Sequence, residues 1–421
     1  MLAAGGRPRP VRRLGGVSTA ARVGIRDILR IPEIRAAMTG TFVIMLGYGI
    51  LAPVLPNYAR SFGVGYDAVG VMVAAFSLTR LVFDPIVGRY IARYGERRTA
   101  TAGAIGVGVS TALAAVAPSY PLLVVFRGAG GAGSAVFFAA LLSYLLRTIP
   151  SDRVGRVMSV YYASFNVGII AGQPIGGLLA KAFGLVVPIW AYAAACFVSA
   201  WLFHRAIRDP ERPRDQERAA GIGALPWHRP LMAVLAANGA YMWVMGAVFG
   251  TLLPLFAREE LGLSFDGVGL ALAVVTGTEF LVLFPAGKAS DRFGARTVLV
   301  PSFAAFAVLV ASLGTVDTVV PLMLLLAALG IASGYAGVPP APMLASLAPG
   351  RLAAPGVAVF RFVGDLGFVL GPLIGGWVAS EVGFAAAFAV SAAPSLAAAV
   401  LAATLSSPRR VPAPVRDGAG L

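Results

Sequence analysis

The sequence is poor in the residues that most often do chemistry. Its 421 residues include one cysteine, Cys196, and two histidines, His204 and His228. A single cysteine excludes an intrachain disulfide and leaves the redox compartment open. Neither histidine has a partner at metal-ligand spacing, which argues against a catalytic metal. Charge is scarce too: 13% of residues are charged and only 19 are acidic. The formal charge of +15 comes without zinc-finger spacing, an RNA-binding sheet signature or a basic helix free of hydrophobic neighbours, so nucleic acid is not the implied partner. A phosphate loop of the form G-x-x-x-x-G-K-S/T is also missing, which argues against a nucleotide-driven pump.

What the chain has in abundance is apolar surface. Hydrophobic residues make up 58% of it, and the mean hydropathy is +0.81. Apolar runs of about 20 residues, the length that crosses a hydrocarbon core of roughly 30 Å, recur throughout and are rich in Gly and Ala, as closely packed membrane helices are. They predict an all-α integral membrane protein with twelve spanning helices, at about 36–58, 67–89, 98–118, 120–146, 156–180, 185–205, 230–256, 266–288, 297–316, 319–346, 357–379 and 382–405. The organisation expected is a basic tail (1–35), a six-helix bundle (36–205), a polar linker (206–229), a second six-helix bundle (230–405) and a tail (406–421). The first apolar run leads to further apolar runs instead of a polar mature domain, so it is not read as a signal peptide. Val23 to Ile34 has the pattern of a short amphipathic helix on the membrane surface.

The basic residues orient the chain. Of 34 Lys and Arg, 28 fall in the two tails and in the loops after even-numbered helices. On the opposite side lie Arg60, Lys181 and Arg258, and within spans lie Arg80, Arg127 and Arg361. By the positive-inside rule both termini are cytoplasmic, and the protein is a multi-pass component of the cell membrane.

A shift of 199 positions superimposes Gly88 on Gly287, Arg93 on Arg292, Gly95 on Gly294, Arg97 on Arg296, Pro150 on Pro349, Gly168 on Gly367, Gly172 on Gly371 and Gly176–Gly177 on Gly375–Gly376. The halves therefore read as duplicated bundles in parallel relation.

Charges inside spans are costly and usually face a cavity or a partner. Arg80 and Asp84 are one turn apart, as are Arg361 and Asp365, so each pair can neutralise itself locally. All four belong to the cytoplasmic half, either as two independent folding pairs or as one cluster that latches the cytoplasmic side in the outward-facing state. Glu279 lies eight residues before Gly287, roughly 12 Å from the cytoplasmic end, and occupies the position of Arg80 at the repeat offset. It has no evident local partner. The carboxylate is read as a proton or cation site, or else as a packing group satisfied by Thr276 or a neighbouring serine.

Several motifs carry a family resemblance. The first helix holds Leu46-Gly47, then Pro53-Val54-Leu55-Pro56; the loop after the second reads GRYIARYGERR, and its copy after the eighth reads GKASDRFGAR. The first loop contains Gly88, Arg93, Gly95 and Arg97, with Ala92 at the usual aspartate; the second contains Gly287, Asp291, Arg292, Gly294 and Arg296. The fourth helix has Arg127 followed by Gly131, Gly133, Ser134 and Ala135. The fifth carries Gly168, Gly172, Gln173, Pro174, Gly176 and Gly177; the eleventh carries Gly367, Gly371, Pro372, Gly375 and Gly376. From about Ala36 to Leu405 the chain resembles the major facilitator superfamily, and within it the twelve-helix proton-coupled drug exporters.

The resemblance implies alternating access, proton-driven export of a small organic molecule, no cofactor beyond the proton gradient, no enzymatic activity, and action as a monomer in the bilayer. It implies a coupling role for Arg127, for which snorkelling to the headgroups is the plain alternative. It also implies a cavity lined by helices 1, 4, 7 and 10, where Tyr48, Asn57, Phe137, Asn238, Tyr241, Trp243 and Tyr335 are the candidate contacts. The alternative function is import or facilitated passage of a sugar, organic acid or other metabolite.

Overall fold

A computed structural model of the protein describes residues 31–149, 154–207 and 221–404. The amphipathic stretch before Ile31, Pro150, most of the linker and the C-terminal tail lie outside the described residues. Twelve helical segments are present among those described: α1 (Pro32–Leu51, extended by Leu55–Arg60), α2 (Tyr66–Tyr94), α3 (Glu96–Ala115), α4 (Tyr120–Thr148), α5 (Val154–Phe183), α6 (Val186–Ala206), α7 (Arg229–Glu259), α8 (Phe265–Phe293), α9 (Ala295–Ser312), α10 (Val319–Leu347), α11 (Ala353–Glu381) and α12 (Phe384–Ala403).

Eleven of these are long and apolar enough to cross a membrane. The twelfth, α3, opens on Glu96, Arg97 and Arg98 and continues in Thr, Gly and Ala, which lowers its apolarity. It is packed between α4 and α6, and a methyl group on its Gly103 would lie 2.7 Å from the Gly133 carbonyl oxygen. Small residues there permit backbone contact, which helix association in lipid favours.

The two halves pack alike. In the first, α1 meets α5 and α6, α2 meets α4, and α3 meets α4 and α6; the second half repeats these pairings as α7 with α11 and α12, α8 with α10, and α9 with α10 and α12. Across the boundary α2 packs on α11 and α5 on α8. The turns repeat as well: Gly63 and Gly262, Gly95 and Gly294, and Gly184 and Gly383 all have positive φ, and the members of each pair are 199 positions apart. Each bundle has its own aromatic core, with Phe137, Tyr144 and Phe203 in one and Phe303, Phe306 and Phe388 in the other, all fully buried.

Three helices are interrupted. α1 turns at Ala52–Val54 beside Pro53, α10 breaks at Val338 and Pro339, and α7 contains a π-helical stretch at Met245–Leu252. Proline and π-bulges are the usual causes of such breaks, and the latter cluster at functional sites. Below, the end of the bundle carrying Pro32 and Ala403 is called the terminal end, and the other the distal end.

Candidate functional site

A cavity of about 860 Å³ lies between the halves and reaches the terminal end beside Pro349 and Gly350. Its walls are α2, α4 and α5 on one side and α7, α10 and α11 on the other, with Phe138, Tyr161, Tyr162, Phe165, Met242, Leu344 and Phe360 among the lining residues. This differs from the expected lining. Of the residues proposed for substrate contact, Asn238 alone borders the cavity, and its amide donates to the Phe360 carbonyl oxygen at 2.7 Å. Tyr48 packs edge-on against Tyr192, Phe137 is core, Tyr335 is half-buried, and Tyr241 is engaged by Glu279. The Trp243 indole N–H is buried without a partner among the described residues, and Asn57 is at the distal end. The reason is geometric: the opening spreads the terminal halves of the boundary helices, whereas the expected residues lie at mid-membrane or beyond.

The four intramembrane charges on α2 and α11 do come together, but not as local pairs. Arg80 bonds Asp365, and Arg361 bonds Asp84 at 2.9 Å. Both ion pairs cross the boundary. Farther along the same two helices, toward the distal end, the backbones touch: a methyl on Gly70 would run into the Pro372 carbonyl oxygen, and one on Gly376 into that of Tyr66. The charges thus sit where two helices that touch distally part toward the terminal end. A second groove of about 840 Å³, facing outward between α2, α7 and α11, shares Val357, Arg361 and Asp365 with the central cavity. The ion pairs form the wall between the two.

Glu279 has partners that local sequence could not reveal. The Tyr241 hydroxyl donates to one carboxylate oxygen at 2.6 Å and the Ser333 hydroxyl contacts the other at 3.0 Å. Ser333 is the neighbouring serine that the sequence reading allowed for, whereas Thr276, the other expected partner, donates across the boundary to Gln173 at 2.8 Å. That bond explains why α5 carries glutamine directly after Gly172, where the eleventh helix has Pro372 after Gly371. Arg127 does not snorkel. It is 5% exposed, its guanidinium lies 4.3 Å from the centre of the Phe76 ring, and its Nε and one Nη find no hydrogen-bond partner among the described residues.

The distal end is closed by a polar set that the sequence reading missed. Arg60 forms a bidentate pair with Glu259 at 3.0 and 3.2 Å, and the Tyr66 hydroxyl donates to the same carboxylate at 2.7 Å. The hydrogen bonds that Arg60 donates to Glu259 favour its charged form and raise its pKa. Lys181 pairs with Asp266 at 2.9 Å, and Ser380 accepts from the Asp67 backbone N–H at 3.0 Å. Asn57 donates to the Pro53 carbonyl oxygen at 3.2 Å and reaches that of Pro254 at 3.5 Å.

The loop signatures are structural at close range. Gly95 and Gly294 supply the positive φ that joins α2 to α3 and α8 to α9, a conformation other residues rarely adopt. Arg93 and Arg292 lie over Tyr94 and Phe293, each 5.3 Å from the ring centre. Arg296 donates to the carbonyls of Ala402 and Ala403 at the end of α12, satisfying groups a helix leaves open. Arg97 is half-buried, Gly88 and Gly287 have open space around them, and Asp291 is exposed. On the Ala92 side the carboxylate comes four residues later: buried Glu96 accepts from Arg147 and from Ser143.

Six of the eight motif glycines of α5 and α11 pack within their halves, and Gly177 and Gly376 pack across the boundary. Methyl groups on Gly168, Gly172 and Gly176 would meet backbone of α1, and ones on Gly367 and Gly371 backbone of α7; Gly375 faces the Ala247 side chain there. Gly177 lies against Phe265 of α8, across the boundary. Pro174 and Pro372 are inside their helices, and Gly131 of α4 is set against Phe76 of α2.

The sequence pattern of the Major Facilitator Superfamily matches residues 37–264 and again 234–420. Multidrug resistance protein 1 of Bacillus subtilis is 26% identical over 61% of this chain and 65% of its own length. The chloramphenicol resistance protein of Streptomyces lividans is 28% identical over 60% and 64%. The tetracycline resistance protein, class C, of Escherichia coli is 28% identical over 68% and 75%. The chain thus spans slightly less than two thirds of the first two relatives. Among solved structures, a bacterial homologue of the human lysosomal transporter Spinster, inward-facing and unoccupied, covers 88% of this chain and 94% of its own at a TM-score of 0.72 and 14% identity. The nucleoside transporter NupG covers 88% and 98% at 0.70 and 13%. At such identities the likeness is one of fold.

Proposed function

The chain belongs to the major facilitator superfamily, and from that premise we propose that it exports a small, largely apolar organic molecule by alternating access, in exchange for protons. The terminal end is cytoplasmic on this reading, so the structure is an inward-open state. The observation that carries the choice of substrate is the central cavity. Its charged groups are already paired with one another, its other walls are aromatic and aliphatic, and Asn238 is committed to the Phe360 carbonyl. A sugar or organic acid needs several unengaged polar partners, because leaving its hydroxyls or carboxylate unpaired in a buried site costs about 1–3 kcal/mol each. An apolar or amphiphilic molecule needs few. The curated relatives, named for resistance to several drugs, to chloramphenicol and to tetracycline, fit outward transport.

Glu279 is the proton site in this proposal. Among the described residues it is the one intramembrane carboxylate outside an ion pair, held by two neutral hydroxyls that hydrogen-bond either protonation state. The Arg80–Asp365 and Arg361–Asp84 pairs act as the pivot. Inverted vesicles containing the protein should accumulate a fluorescent amphiphile when a proton gradient is imposed, and Glu279→Gln should abolish the gradient dependence. Uptake by right-side-out vesicles instead would make the protein an importer, and an unchanged pH profile in Glu279→Gln would remove that residue from coupling.

A further inference from the structure

The outer side of the ion-pair wall carries a second inference. The groove of about 840 Å³ lies along the terminal half of the α2–α11 seam, where the two helices have parted. Leu81 and Pro85 of α2, Met232 and Ala236 of α7, and Ala358 and Phe362 of α11 line it. Pro85, Met232, Ala358 and Phe362 are exposed on the outside of the bundle, so the groove opens to lipid. It also runs inward as far as Ala139 of α4, whose neighbours Phe138 and Leu142 border the central cavity. Between the two spaces stand Val357 and the ion pairs: Asp84 borders the groove, Arg80 borders the cavity, and Arg361 and Asp365 border both.

We propose that this groove is a second substrate site, a portal through which an apolar molecule dissolved in the bilayer passes into the central cavity when the Arg361–Asp84 pair opens. The inference rests on the function proposed above, which supplies the apolar substrate and makes the terminal end cytoplasmic, so that the portal faces the inner leaflet. Apolar molecules concentrate in the bilayer and by this route need not return to water. The lining suits such an occupant, because its ionisable side chains among the described residues are Asp84, Arg361 and Asp365, each already in an ion pair. Arg361–Asp84 is the more exposed of the two pairs and so the weaker bar, and the second Asp84 carboxylate oxygen has no partner among the described residues. The linker is a poor occupant, because residues 208–220 hold eight charged residues and no Val, Leu, Ile, Met or aromatic residue.

The test reads access to the cavity and does not require transport. The full chain in nanodiscs, carrying Leu142→Cys in a Cys196→Ser background, is labelled either by pyrene maleimide, which dissolves in the bilayer, or by a sulfonated maleimide confined to water. The parent should react with both, through the groove and through the terminal opening respectively. Ala358→Trp, which fills the groove from an exposed position, should slow the pyrene reagent tenfold or more and leave the sulfonated one unchanged. Asp84→Ala, which removes the outer bar, should speed the pyrene reagent severalfold. Val400→Trp, at an exposed site on α12, should alter neither rate. The proposal is overturned if Ala358→Trp leaves pyrene labelling unchanged, as a groove plugged by a lipid tail or by the linker would give. It is also overturned if that variant slows both reagents alike, as a distorted cavity would, or if Val400→Trp slows the pyrene reagent equally. Absence of export from the vesicle assay, with these labelling results intact, would sink the proposed function and keep the portal; export without them would sink the portal alone.

Discussion

The distal seams make the sharpest prediction about alternating access. Four glycines press backbone on backbone across the boundary there: Gly70 on Pro372, Gly376 on Tyr66, Gly177 on Phe265 and Gly269 on Gln173. They form two pairs related by the repeat, Gly70 with Gly269 and Gly177 with Gly376. A methyl at any of them collides with main-chain atoms that cannot rotate away, so alanine must push the distal ends apart. Overpacking of this kind costs about 1–3 kcal/mol per site. Gly70→Ala and Gly269→Ala act in separate seams, so their costs add, which gives about 2–6 kcal/mol against the distal-closed state. At about 1.4 kcal/mol per tenfold, its population relative to the distal-open state should fall between roughly thirtyfold and twenty-thousandfold. Asn57, 7% exposed in the closed arrangement, can report this as Asn57→Cys in a Cys196→Ser background, through its reaction rate with a membrane-impermeant maleimide. Gly168→Ala is the control, because its methyl would strike Phe42 within one half and should cost stability without shifting the two states. A labelling rate in the double variant equal to or below the parent's, in protein that elutes as a folded monodisperse peak, would refute the idea that these glycines hold the distal end shut.

Two further outcomes follow from ion pairs. The Asp365 side chain is 7% exposed and that of Asp84 is 19% exposed, opposite an Arg361 at 37%. Asp365→Asn should therefore approach the roughly 3–5 kcal/mol loss of a broken buried pair, and Asp84→Asn, whose side chain is less enclosed, should cost less. Thermal inactivation in nanodiscs would rank them. A double-mutant cycle should couple Arg80 to Asp365 and not to Asp84, and the reverse would reinstate the local pairing. Within the first half, Glu96→Ala should destabilise by about 1.5–3 kcal/mol through loss of the charged bond to Arg147, with substrate affinity unchanged; a normal melting temperature would mean that Arg147 holds α4 without it.

Much of the architecture was legible because it is written in periodic features. Helix positions follow from the lengths of apolar runs, and the repeat from glycines and arginines at one offset. Partners were harder to read, since the sequence offers only the nearest neighbour. Arg80 and Asp84 are a reasonable pair on one helix, but the crossing of α2 and α11 brings Asp365 to Arg80 from 285 positions away. The same holds for Glu279, whose hydroxyl partners are 38 and 54 positions off. The cavity lining was misjudged for another reason: which residues face a cavity depends on which end is open, and no residue type encodes that. The distal closure did leave a signal. Arg60 and Glu259 are opposite charges 199 positions apart, the repeat offset itself, and equivalent points of two parallel halves face each other near the pseudo-twofold axis. Glu96 was legible too, one turn beyond the missing aspartate at Ala92.

The two seams share a skeleton and differ in charge, and that difference has mechanical meaning. Glycines and turns obey the offset, so both bundles can rock on equivalent backbone contacts. The ionisable groups break it: Arg80 corresponds to Glu279, Arg361 to Tyr162, Asp365 to Asn166 and Lys181 to Ser380. The α2–α11 seam consequently holds two crossed ion pairs at the pivot, while α5–α8 is bridged there by the neutral Gln173–Thr276 bond. A proton arriving at either aspartate changes the energy of one seam alone, and one arriving at Glu279 changes a contact inside the second half without touching either seam. If Glu279 carries the proton, its effect must therefore pass through α8, one turn along to Thr276, and so to Gln173. Thr276→Val, which keeps shape and deletes the donor, should then uncouple transport from the proton gradient while leaving downhill movement of substrate intact; retained coupling in that variant would send the signal through the aspartates instead.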